Sequence, residues 1–141
     1  MRIQYLDTSA LLKLYLDEAG SAEVRLATTD QPAFTHIIAY AELRAGLAKA
    51  KRMDRVSTAD YRNLLADLES DWKQINVVSI DSQQVRRAGA LAETFGLRGY
   101  DSVHLAAAES LTINTGAEVR FLCFDQALSR SAATLGMSAD A

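Results

Sequence analysis

The chain has 141 residues, 49% of them hydrophobic, with 15 lysine and arginine against 18 aspartate and glutamate for a formal net charge of -3, one proline and one cysteine. Such a chain is expected to fold as one domain over residues 1–141 around a core of its own, which excludes a disordered chain, a disulfide scaffold and a low-complexity repeat. No run of about 18 apolar residues offers a membrane span, the first residues lack the succession of a secretory signal, and a lone cysteine suits a reducing compartment, so a soluble, cytoplasmic protein without membrane contact is expected.

In chain order, Arg2 to Leu6 reads as the first strand and runs through Asp7 into a leucine-rich helix. Further strands are expected at Ala33 to His36, Asn76 to Ile80 and Val119 to Phe124, each separated by amphipathic helical stretches. Tyr61, Leu64, Leu65, Leu68 and Trp72 share one helix face, as do Val85, Ala88, Ala92 and Phe95. Both stripes should face the core, with Trp72 a packing residue. Ser57, Asp81 and Asp125 mark helix starts, and Gly96 and Gly116 mark stops. Strands alternating with helices predict an α/β protein with a parallel sheet wrapped by helices. The basic segment "KAKRMDR", Lys49 to Arg55, reads first as a solvated helix end favoured by the helix dipole.

In a parallel sheet the carboxyl ends of all strands lie on one edge, where such folds bind ligands. Asp7 follows the first strand and Asp125 the last, so two acids from opposite ends of the sequence should meet there. Asp101 opens "DSVHLAAAESL", a helix nearly free of charge, with His104, Leu105 and Ala108 on the face beneath it. Each aspartate taken alone reads as a helix cap, and an aspartate has two oxygens to divide between capping and coordination. Glu42 differs. Within a helix, with Ile38, Ala39, Ala45 and Gly46 as its turn neighbours, it must be protonated, paired or metal-bound, because an unpaired buried charge costs several kcal/mol.

Converging acids repel unless a cation joins them. An all-oxygen set favours Mg2+ or Mn2+ over zinc, and a metal-bound water is a nucleophile suited to phosphodiester hydrolysis. With four acids neutralised in this way the remaining charge is slightly basic, so the formal total is compatible with a phosphate-bearing substrate.

Four segments, "YLDTSALLKLYL", "AYAELRAGL", "LRGYDSVHLAAA" and "FLCFDQAL", resemble in order and spacing the motifs of PIN-domain ribonucleases, specifically the VapC-like toxins of toxin–antitoxin pairs. The resemblance implies a three-layer α/β/α sandwich with a mostly parallel sheet, an acidic pocket binding Mg2+ or Mn2+, an RNA substrate, a cognate antitoxin and a homodimer formed by the helices around residues 37 to 72. It implies Asp7 and Asp101 as principal metal ligands, with Glu42 and Asp125 serving a second metal or orienting water. It leaves Asp81 as a cap outside the site and His104 as a core hydrogen-bonding residue rather than a ligand. Family members often carry Thr or Ser where this chain has Cys123, which reads as a small core residue. Thr8 and Ser9 read as first-turn caps, or as hydroxyls near the metal. Arg98 and the patch at Lys49, Lys51, Arg52 and Arg55 offer charge that would steer an RNA backbone.

Two other readings remain at this level. A non-cleaving PIN-like domain that binds RNA or a partner would carry the same acids. A receiver-like phosphoacceptor domain needs an acidic pair after the first strand and a lysine after the last, and no lysine follows Lys73. Dinucleotide and P-loop fingerprints are absent.

Overall fold

The computed structural model describes residues 1–139. Its elements are β1 (Arg2–Leu6), α1 (Thr8–Leu12), α2 (Ser21–Thr28), β2 (Ala33–His36), α3 (Ala39–Arg52), α4 (Thr58–Trp72), β3 (Asn76–Val78), α5 (Ser82–Phe95), α6 (Gly99–Thr115), β4 (Glu118–Leu122) and α7 (Gln126–Thr134). The four strands form one sheet in the order β3-β2-β1-β4, and every neighbouring pair is parallel.

The central strand β1 is covered on both sides, so side-chain alternation divides it between two cores. Ile3 and Tyr5 enter a cluster with Phe121, Leu91, Leu105 and Leu128, contributed by β4, α5, α6 and α7. Leu6 and Leu122 enter the other, with Leu11, Val24, Leu43, Leu47 and Leu68 from α1, α2, α3 and α4. Helices on both faces of a parallel sheet make the three-layer α/β/α sandwich.

Helix boundaries follow local chemistry. Ser57, Asp81 and Asp125 each accept a hydrogen bond from the backbone N–H three residues on, and Gly96 and Gly116 close α5 and α6 in the left-handed conformation. Leu68 is fully buried on the α4 stripe, and Trp72 packs against Tyr40 with ring centroids 5.4 Å apart. The α5 stripe departs from expectation at its first member: Ala88 is buried, whereas Val85 stands 43% exposed beside a cavity.

Two strands are displaced from the sequence reading. β3 ends at Val78, where its register with His36 ends, and Ile80 beyond it is 54% exposed. β4 runs from Glu118 to Leu122 because its partner β1 ends at Leu6 opposite Leu122; Asp7 N–H still donates to Leu122 O at 3.2 Å before the chain turns into α1. Cys123 and Phe124 therefore lie in the connection that carries Asp125.

That connection is pinned. The Phe124 ring sits under Lys13 Nζ, 4.4 Å from its centroid, and against Gly20, whose φ of +94° begins α2. A Cβ on Gly20 would fall 2.5 Å from Phe124 Cε1. Gly20→Ala is therefore expected to cost roughly 2 kcal/mol from overpacking and backbone strain together, measured by denaturant unfolding.

Candidate active site

Asp7 closes β1 and caps α1. Its Oδ1 accepts from Ala10 N–H at 3.0 Å and from Ser9 Oγ at 2.6 Å, and Ser9 Oγ in turn accepts from Phe124 N–H at 3.2 Å. One hydroxyl thus ties the β1 acid to the segment carrying Asp125. Asp7 is 4% exposed, and burial raises its carboxyl above the ordinary aspartate range. The bonds from Ser9 and Ala10 offset part of that rise, while the charge of Asp101 adds to it.

Glu42 lies in the first turn of α3, not mid-helix, because α3 begins at Ala39. Its expected small, inward face is also broken, since Ala45 is exposed. A carboxylate in a first turn is favoured by the helix dipole, and this one is paired across the fold. Thr8 Oγ1 donates to its Oε1 at 2.7 Å, and His104 Nε2 lies 2.9 Å from the same oxygen. Burial pushes the Glu42 carboxyl up, but the hydrogen bonds from His104 and Thr8 outweigh it and hold Glu42 below the usual glutamate range. It is therefore ionised at neutral pH.

His104 is 2% exposed, with Nδ1 2.8 Å from the hydroxyl of Tyr5, which is fully buried. This is the core hydrogen bonding expected of it. Sequence reasoning missed the pair it forms with Tyr5 and Glu42. The only signal was a tyrosine in a strand covered on both faces, whose hydroxyl had to find a partner.

Asp101 sits in the first turn of α6, which starts at Gly99 with Arg98 at the cap position, rather than at Asp101 itself. Arg98 Nε donates to Asp101 Oδ2 at 3.0 Å, and the hydrogen bond to Asp101 raises the guanidinium further, with its charge and then that of Asp125 adding to it. Arg98 is thus engaged with the acids rather than standing free. A cavity of about 570 Å³ is lined by Glu42, Asp101, Arg98, Tyr100, Val85 and Gly89, among others. Asp125 follows β4, is exposed, and caps α7 by accepting from Leu128 N–H at 2.9 Å.

The four acids so placed come from the carboxyl ends of β1 and β4 and the first turns of α3 and α6. Asp101 acts electrostatically on Asp7, Glu42 and Asp101 share a cavity, and Arg98 senses both Asp101 and Asp125. The acids share a division of labour. Each commits one oxygen to hydrogen bonds within the fold, and among the described residues the second oxygen of each receives none. Hard oxygen donors of this kind suit Mg2+ or Mn2+. Among the described residues no three His, Cys, Asp or Glu side chains form a ready-made metal cage. Any one or two of these carboxylates that held Mg2+ would leave water and phosphate oxygens to complete its shell.

Cys123 is a buried core residue, as expected; burial pushes its thiol up to about 11, and Ser129 Oγ lies 3.1 Å from its sulfur. Its alkylation at pH 8 should be slow in the folded protein and fast on unfolding, followed by thiol titration. The basic segment is accounted for structurally: Lys49, Lys51 and Arg52 occupy the last turn of α3, and Arg55 donates to Glu18 at 2.9 Å.

The PIN domain family model matches residues 4–133. Ribonuclease VapC45 of Mycobacterium tuberculosis (strain CDC 1551 / Oshkosh) is 36% identical over 110 residues, spanning 77% of this chain and 76% of that protein. Ribonuclease VapC46 of the H37Rv strain is 32% identical over 136 residues, spanning 95% and 93%. Among solved structures, FitAcB from Neisseria gonorrhoeae superposes with a TM-score of 0.68 at 15% identity, covering 97% of this chain and 96% of that one. VapBC2 from Rickettsia felis, bound to a DNA fragment from its promoter, gives 0.65 at 14%, covering 99% and 98%. These two likenesses concern the fold. The family match and the identity to the mycobacterial proteins place the chain in the PIN domain family, among its VapC-like members.

Proposed function

We propose that this protein is a metal-dependent endoribonuclease, the toxin of a toxin–antitoxin pair, cutting RNA at the cavity where α3, α5 and α6 meet. The observation that carries the proposal is the shared division of the four carboxylates, one oxygen spent on the fold and one left over, in a chain of the VapC-like family. Asp7 and Asp101 would hold Mg2+ or Mn2+, with Glu42 and Asp125 completing the site. When bound, such an ion supplies charge stabilisation at the phosphoryl group and a water of lowered pKa.

The chain's own residues prepare this site. Burial keeps competing water away from Asp7, and the Ser9 bridge fixes its Oδ1. Glu42, kept ionised by His104 and Thr8, lines the cavity, and among the described residues its Oε2 receives no hydrogen bond. Arg98 limits the repulsion that Asp101 would exert on its neighbours and stands at the rim where RNA phosphates would pass.

The antitoxin reading is supported by solved structures of like fold, among them a toxin–antitoxin complex from Klebsiella pneumoniae, and homodimerisation through α3 and α4 is part of the same proposal. Among the described residues no helix is long and apolar enough to cross a membrane; action on RNA in the cytoplasm is part of the same proposal. The test is cleavage of an RNA pool by purified protein in Mg2+ or Mn2+ and in EDTA. Cleavage that EDTA abolishes supports the proposal; retained RNA binding without cleavage returns the chain to a non-cleaving binding domain.

A further inference from the structure

The buried pair beneath Glu42 has a fixed polarity. The Tyr5 hydroxyl is fully buried, and among the described residues its one hydrogen-bond partner is Nδ1 of His104, at 2.8 Å. A tyrosine phenol carries its proton at neutral pH. Its O–H therefore donates, and Nδ1 is the acceptor. A ring that accepts at Nδ1 carries its proton on Nε2, and Nε2 lies 2.9 Å from Glu42 Oε1, an atom that only accepts. With the opposite polarity, Nδ1–H toward the phenol would leave a buried O–H without an acceptor. His36 packs edge-on to His104 at 6.4 Å and has the same internal arrangement, accepting from Ile38 N–H at Nδ1 and donating from Nε2 to Gln84 Oε1 at 2.8 Å.

We propose that Tyr5 and His104 are positioning residues for Glu42: the Tyr5 hydroxyl sets the ring tautomer, and the Nε2–H so produced, with Thr8, saturates Oε1 and leaves Oε2 toward the cavity. Neither residue is offered as a metal ligand or as a group touching RNA. The relay itself stands on the geometry of the metal-free fold, whereas its consequence for metal affinity rests on the nuclease reading.

The test has two arms. In the first, nitrogen-15 spectra of the imidazole rings are recorded on metal-free protein, wild type and Tyr5→Phe. The account expects the His104 ring to carry its proton on Nε2 and to accept at Nδ1, and the Nδ1 signal to move toward that of an unbonded pyridine-type nitrogen in Tyr5→Phe. A ring protonated on Nδ1, or an Nδ1 signal indifferent to Tyr5→Phe, overturns the relay.

In the second arm, Mn2+ affinity is read by electron paramagnetic resonance in His104→Gln and His104→Leu. A glutamine amide can both accept from Tyr5 and donate to Glu42, and leucine can do neither. Leucine is expected to weaken Mn2+ binding on the order of 10-fold and glutamine to recover most of it. Equal loss in both variants, or none in either, removes the positioning role. If His104→Leu does not fold, His104→Gln and Tyr5→Phe compared with wild type carry the same contrast, with binding held in the first and weakened in the second. A wild type that binds no Mn2+ defeats the nuclease reading and the metal consequence together, while the ring spectra still decide the relay.

Discussion

Asp7→Asn is expected to lower RNA cleavage by more than about 100-fold while leaving the metal-free protein as stable as the wild type or more so. Residues that merely orient a metal's ligands typically cost 10- to 100-fold when removed, so a direct ligand should exceed that range. Stability should not follow activity down. Asparagine caps helices as well as aspartate does, and its amide oxygen can still accept from Ala10 and Ser9 at the position of Oδ1. The sign of the charge effect follows from the raised Asp7 carboxyl. Folding disfavours its ionised form, so the penalty is present in full at pH values above the folded pKa and is relieved as pH falls through it. At neutral pH the substitution removes that penalty. Cleavage assays beside calorimetry would show the two properties separating; a variant that cuts at the wild-type rate would remove Asp7 from the site.

The second large effect is stabilisation by the metal and its pH dependence. A ligand that binds only the folded state at 100 times its dissociation constant adds about 2.7 kcal/mol. For a chain of this length that shifts Tm on the order of 10 °C, readable by thermal denaturation with and without Mn2+. Coordination requires ionised carboxylates, so protons compete with the ion. Because the Asp7 carboxyl is raised, the Mn2+ shift should fade as pH falls while still above the ordinary aspartate range, before Glu42, which is held low, begins to protonate. In Asp7→Asn the shift should be small at every pH. A wild-type shift that grows on acidification would contradict the account.

Features that depend on local chemistry were legible in the sequence. Capping aspartates and serines, left-handed glycines and the alternation of strand and helix are short-range signals, and Ser57, Asp81, Asp125, Gly96 and Gly116 sit where that grammar places them. The meeting of Asp7 with the Asp125 segment was legible too, because parallel strands put their carboxyl ends on one edge.

Features that depend on register between distant segments were not legible. Strand ends at Val78 and Leu122 are set by where the partner strand turns away, which no periodicity in β3 or β4 records. Val85 fits a helical stripe, yet it stands 43% exposed beside a cavity lined also by Glu42 of α3 and Gly99, Tyr100 and Asp101 of α6, a meeting of three helices that the α5 pattern does not record. Glu42 was recognised as a charge in need of a partner. Its partners Thr8 and His104 come from α1 and α6, and only the assembled sheet brings them within hydrogen-bond reach.

The most direct measurement is an anomalous difference map from crystals of the protein grown with Mn2+. A peak within coordinating distance of carboxylate oxygens of both Asp7 and Asp101, lost in Asp7→Asn, is the predicted result. A map without such a peak, from protein that still cleaves RNA in EDTA, would show that these acids serve the fold and not the reaction.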